Sequence, residues 1–190
     1  GIILIGLFLY LHDRAPSVPI ERVLVPTASS TTSMLITSPS FNHNEKIPDK
    51  FTCEGGDINP ALAIENVPEN AKSLALIVDD PDAPGGTFTH WTVWNINPNT
   101  TAIKEESVPP KSVEGETDFG RVGYGGPCPP ASPKPSEGGP PGKPHRYFFK
   151  LYALDAMLNL PEGSKRADLE KEIATHTIAS AELVGIYERR

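Results

Sequence analysis

The chain has 190 residues, enough for one domain with a tail, and its 21 prolines and 16 glycines favour turns and strands over a helical bundle or coiled coil. Acidic side chains outnumber basic ones 24 to 17, so a net charge of -7 excludes a broadly basic nucleic-acid binder. Two cysteines exclude a disulfide-dense scaffold and a four-cysteine zinc site.

In chain order, residues 1–11 (GIILIGLFLYL) carry no charge. As a helix they span about half of a ~30 Å hydrocarbon core. They are expected to be the remnant of a signal peptide or membrane anchor. Membrane association or export is favoured over a cytoplasmic location. Residues 12–32 carry Pro16, Pro19, Pro26 and the run ASSTTS, and are expected to be a linker. The folded domain is placed at 33–190.

Within it, short apolar or alternating runs are separated by turn residues. Strands are expected at 34–37, 61–64, 73–78, 90–96, 147–154 and 183–187. The run SLALIV at 73–78 reads as a central strand, apolar after its first residue. Strict alternation along HWTVWNI puts His90, Thr92, Trp94 and Ile96 on one face and Trp91, Val93 and Asn95 on the other. One helix is expected at 167–175, with Leu169 and Ile173 four apart on one side and Ser164 near its start as a cap. The pattern is a mainly β protein, a β-sandwich with a peripheral C-terminal helix. Residues 127–144 hold eight prolines and three glycines, and read as an extended exposed loop.

The residues with chemical potential cluster in a few places. Asp79, Asp80 and Asp82 follow the central strand in VDDPDAPGG, and a tight return leads to His90. An aspartate paired with an imidazole fixes its tautomer. His145, Arg146 and Tyr147 open a later strand, and the backbone amides of GYGGP offer a nest for an anion. In a regular strand Arg146 faces away from its neighbours, toward the aspartates behind the site. The acidic spacing does not match a metal site, and no cofactor fingerprint occurs. Asn99-Thr100-Thr101 fits the glycosylation triplet.

These motifs come in a distinctive order: ITSPSF, IPDKFTCEGGDINPAL, DDPDAP, HW, GYGGPCPP, HRYFF and AELVGIYER. From about Leu35 to Arg189 the chain resembles the phosphatidylethanolamine-binding protein family, specifically its bacterial and archaeal Raf-kinase-inhibitor-like branch. The resemblance implies an antiparallel β-sandwich with a small anion pocket at one end of the large sheet. It implies that Asp80, Asp82 and Pro84 come from the DPD motif, and that His90, Gly126, Pro127, His145 and Tyr147 complete the pocket. It brings Cys53 and Cys128 toward the pocket end, where a disulfide between them is one outcome and two separate thiols the other. The stretch 131–144 is an insertion relative to the family pattern.

The resulting expectation is non-catalytic binding of a small anion or phosphorylated head group, with regulation or inhibition of a partner such as a protein kinase or protease. A protease inhibitor acting through the proline-rich loop, and a hydrolase using the Asp80, His90 and His145 cluster, are the alternatives. The hydrolase is disfavoured because no strained nucleophile elbow is evident.

Overall fold

The computed structural model describes residues 33–131 and 143–189. The expected anchor at 1–11, the linker at 12–32 and most of the 131–144 insertion lie outside the described residues.

Among the described residues nine strands and one helix follow in order: β1 (Leu35–Thr37), β2 (Glu45–Lys46), β3 (Leu62–Glu65), β4 (Ser73–Asp80), β5 (Phe88–Ile96), β6 (Ala102–Ile103), β7 (Val113–Glu114), β8 (His145–Leu154), α1 (Arg166–His176) and β9 (Thr177–Tyr187). A 3-10 turn at Asp49–Phe51 lies between β2 and β3. The strands form a three-stranded sheet, β1-β3-β6, and a six-stranded sheet, β2-β9-β8-β4-β5-β7. Every strand pair is antiparallel except β2 with β9.

Strand β4 is buried along its whole length, which explains why its sequence reads as an unbroken apolar run. Leu74, Leu76 and Val78 face the smaller sheet and pack with Ile36, Leu62, Ile64 and Ile103. Ala75 and Ile77 face the other way, against Leu169 and Ile173 of α1. The central sheet is therefore covered on both sides. The helix brings the two apolar residues that its spacing promised, and its outer face is polar.

Two expectations need correction. Strict alternation fails along β5. The pairs Leu74↔Ile96 and Leu76↔Val93 enclose one extra β5 residue, and so do Val78↔Trp91 and Asp79↔Thr89. Each extra residue is a bulge, which re-aims the side chains beyond it. Ile96 thereby joins Trp91 and Val93 in the inter-sheet core, while Trp94 packs toward α1. Asn95 marks the first bulge with φ +58°. Secondly, Ser164 does not cap α1. The N-cap is Lys165 without a side-chain bond, and the Ser164 hydroxyl instead donates to the Pro161 carbonyl at 2.7 Å.

Leu76 is fully buried in the inter-sheet core. Leu76→Ala is expected to lower unfolding stability by about 2–5 kcal/mol. Urea unfolding monitored by tryptophan fluorescence checks this, with an unchanged slope marking a simple loss of packing.

Candidate functional site

The sheet order gathers three strand ends at one place. Asp80 closes β4, His90 lies near the start of β5, and His145 opens β8. Pro81 and Pro84 stiffen the β4–β5 turn, and Gly86, at φ +103°, supplies a backbone angle that side chains disfavour. The second β5 bulge falls at His90. It turns this imidazole to the same side as Trp91, where it meets the Tyr147 ring edge-on at 5.1 Å between centroids.

A cavity of about 180 Å³ opens here, lined by Asp80, His90 and His145 together with apolar residues that include Pro84, Phe88 and Phe119. The His145 ring donates from Nδ1 to Asp80 Oδ2 at 2.7 Å. Asp80 Oδ1 accepts from the Asp82 amide at 2.8 Å, so both carboxylate oxygens are engaged. His90 is tied twice to one peptide. Its Nδ1 donates to the Gly125 carbonyl at 2.7 Å, and its own carbonyl accepts from the Gly125 amide at 2.9 Å. Gly125 suits this position because a Cβ there would meet the Phe119 ring at 2.3 Å. Burial holds the His90 pKa below its ordinary 6.5, against the pull of the Gly125 carbonyl and the Asp80 charge.

The other residues named from sequence take several positions around this centre. Pro84 is on the cavity wall. Asp82 lies at the rim, where both its oxygens receive the Arg146 guanidinium at 2.8 and 2.9 Å. This contact, the largest cause, holds the Asp82 pKa down at about 2. Tyr147 stands behind His90, fully buried, and its hydroxyl has no hydrogen-bond partner among the described residues. Burial, then the nearby Asp80 charge, pushes its pKa well up. Gly126 and Pro127 are set back from the cavity as its support: the Gly126 amide donates to Asp57 Oδ1 at 2.6 Å, and the Pro127 carbonyl accepts from the Cys53 amide at 3.2 Å.

Cys53 and Cys128 are joined in a disulfide across 75 residues of sequence. Cys128 itself lines the cavity with Pro129 and Pro130, so the bond anchors one wall. Asp79 departs from its two neighbours. It faces α1, fully buried, and accepts from Lys150 at 2.9 Å with Arg166 at 3.6 Å. The three aspartates thus serve three places. No group of side chains suited to a metal ion occurs among the described residues. Sequence reasoning missed Phe88 and Phe119, because neither carries a motif. Phe119 reaches the cavity from the loop after β7, with 40% of its surface exposed.

A two-sheet β protein with histidines and a carboxylate at one end of its large sheet matches a known family. The family model for Phosphatidylethanolamine-binding protein matches residues 37–188, and the chain belongs to that family. A UPF0098 protein of Pyrococcus horikoshii is 50% identical over 159 residues, covering 80% of this chain and 76% of that one. A UPF0098 protein of Aquifex aeolicus is 46% identical over 161 residues, covering 82% and 89%. These relatives place the chain in the bacterial and archaeal branch. Among solved structures, a phosphatidylethanolamine-binding protein homolog of Chlamydia trachomatis aligns with a TM-score of 0.74 at 38% identity, covering 83% of this chain and 99% of that chain. Escherichia coli YbcL aligns with a TM-score of 0.75 at 33% identity, covering 84% and 100%.

Two outcomes follow. Because the folded pKa of His90 lies below that of the unfolded chain, its contribution to stability is complete above about pH 6.5 and is lost as pH falls below it. The stability difference between the parent and His90→Gln should narrow on acidification from about pH 7 to about pH 5. Chemical unfolding at each pH measures it. Replacing both cysteines by Ala should lower stability by about 2–4 kcal/mol, read from urea midpoints against the oxidised parent.

Proposed function

We propose that the pocket binds a small oxyanionic group, such as a phosphorylated head group, and does not turn it over. One observation carries this reading: two imidazoles from different strands converge on a single cavity, each with Nδ1 already engaged. That leaves Nε2 of each ring for a ligand, with fixed tautomers and little freedom to lose on binding. Members of the family are generally non-catalytic binding proteins. Among the described residues the cavity lining contains no Ser or Thr, and its cysteine is oxidised, which supports binding over nucleophilic turnover. The disulfide supports residence in an oxidising compartment.

Phosphorylethanolamine titrated into the full chain should give saturable amide shifts at Asp80, Gly125 and Tyr147. His145→Ala should weaken binding by about 10- to 150-fold, the loss of about 1.5–3 kcal/mol for a charge-assisted hydrogen bond. Phosphorus NMR should show the ester intact after prolonged incubation. Unchanged affinity in both His145→Ala and His90→Ala would overturn the site, and release of free phosphate would overturn the non-catalytic reading.

A further inference from the structure

The triplet Asn99-Thr100-Thr101 takes no part in the pocket. Of the nine asparagines in the chain, Asn99 alone is followed two residues later by Ser or Thr, and neither Thr100 nor Ala102 is a proline. The triplet sits on the turn between β5, which ends at Ile96, and β6, which begins at Ala102. Here the Thr100 amide donates to the Asn97 carbonyl at 2.9 Å, and the Asn99 amide N–H donates to Asn97 Oδ1 at 2.9 Å. The Asn97 side chain is thus spent on closing the turn. Asn99 stands exposed at the tip, and its carboxamide has no hydrogen-bond partner among the described residues.

Thr101 is exposed as well. Its backbone carbonyl accepts from the Ile64 amide at 2.8 Å, which ties the end of the turn to β3. Its hydroxyl has no partner among the described residues. A shallow groove runs beside the tip, bordered by Glu65, Asn66 and Val67 as well as by Asn99 and Thr101. The carboxamide and the hydroxyl two residues on therefore border open space. The turn also lies at the far end of β5 from the pocket. From His90 to Ile96 the strand runs about 20 Å, so a bulky group on Asn99 leaves the cavity mouth clear.

We infer that Asn99 is a modification site that carries an N-linked oligosaccharide, with Thr101 as the hydroxyl the transferase reads beside it. The inference rests on the reading of an oxidising compartment and is independent of the oxyanion site. The sugar donor is a polyprenyl-phosphate-linked oligosaccharide. The Asn99 carboxamide nitrogen attacks the anomeric carbon, and a C–N bond forms there. The bond from that carbon to the phosphate oxygen breaks, and the lipid phosphate leaves with its electron pair. The amide nitrogen gives up one proton to a base of the transferase, and nothing is oxidised or reduced. The product keeps one N–H, and its saccharide lies over the turn and the adjoining groove.

Peptide mass spectrometry of the full chain, purified from the organism that encodes it and alkylated before any reduction, tests the inference. The peptide carrying Asn99 should show a saccharide increment on that residue, and the Cys53 and Cys128 peptides should be recovered joined. Tagged Asn99→Gln and Thr101→Ala chains, made in the same organism, should lose the whole increment, whereas Thr101→Ser should keep it. Joined cysteines with Asn99 unmodified overturn the inference and leave the compartment reading standing. Alkylated, unjoined cysteines with Asn99 unmodified overturn the compartment reading, and the inference with it. An increment that survives Asn99→Gln puts the sugar on another residue and likewise overturns the assignment.

Discussion

The site depends on one inserted residue in β5. Opposite Val78 and Asp79 the strand carries a residue more than its partner, and that residue is His90. Without the bulge His90 would continue the alternation of Thr92 and Trp94 and point toward α1. With it, the imidazole enters the space between Asp80 and Tyr147. The Gly125 peptide then holds the ring from behind with two hydrogen bonds. A local break in the ladder is thus exchanged for a fixed ring orientation, a use of bulges found near functional sites.

The surrounding rigidity makes this arrangement tenable. Strand β4 lies between β5 and β8, and its two faces are covered by separate apolar clusters. The strand cannot rotate to relieve a strained neighbour. Asp79 and Asp80 therefore stay on opposite sides, one buried against Lys150 and the other against His145. Adjacent carboxylates in sequence become separate electrostatic sites, each with its own cation or imidazole. The disulfide and the Asp57 carboxylate hold the third wall in the same fixed manner.

Much of this was legible in the sequence. The apolar run at 73–78 announced the central strand, and the Leu169 and Ile173 spacing announced the helix. The DPDAP, HW and HRY segments announced Asp80, His90 and His145, which the fold brings to one cavity. The misses have physical causes. Strand β9 begins at Thr177 with small and polar residues, because its first half is largely exposed, so only its apolar end was visible. Strands β2, β6 and β7 are two residues each and owe their existence to neighbours rather than to local pattern. The β5 bulges leave no periodic signature, since a period of two predicts their absence. Phe119 reaches the cavity through a loop path that no motif encodes. Arg146 was expected to face the aspartates behind the site, and it meets Asp82 in particular through the geometry of the β4–β5 turn.

The two carboxylate pairs at the pocket differ in their exposure to solvent. The outer clasp, Asp82 with Arg146, leaves 29% and 54% of its side chains open to water, whereas Asp80 and His145 leave only 4% and 10%. Mobile ions screen the first pair within a Debye length of about 8 Å at physiological ionic strength and reach the second poorly. Dissolved electrolyte therefore grades the two apart. Concentrated salt slackens the tie between the β4–β5 turn and the start of β8, while the inner pair keeps its hold. The mouth of the cavity and its floor consequently answer to different features of the surrounding medium.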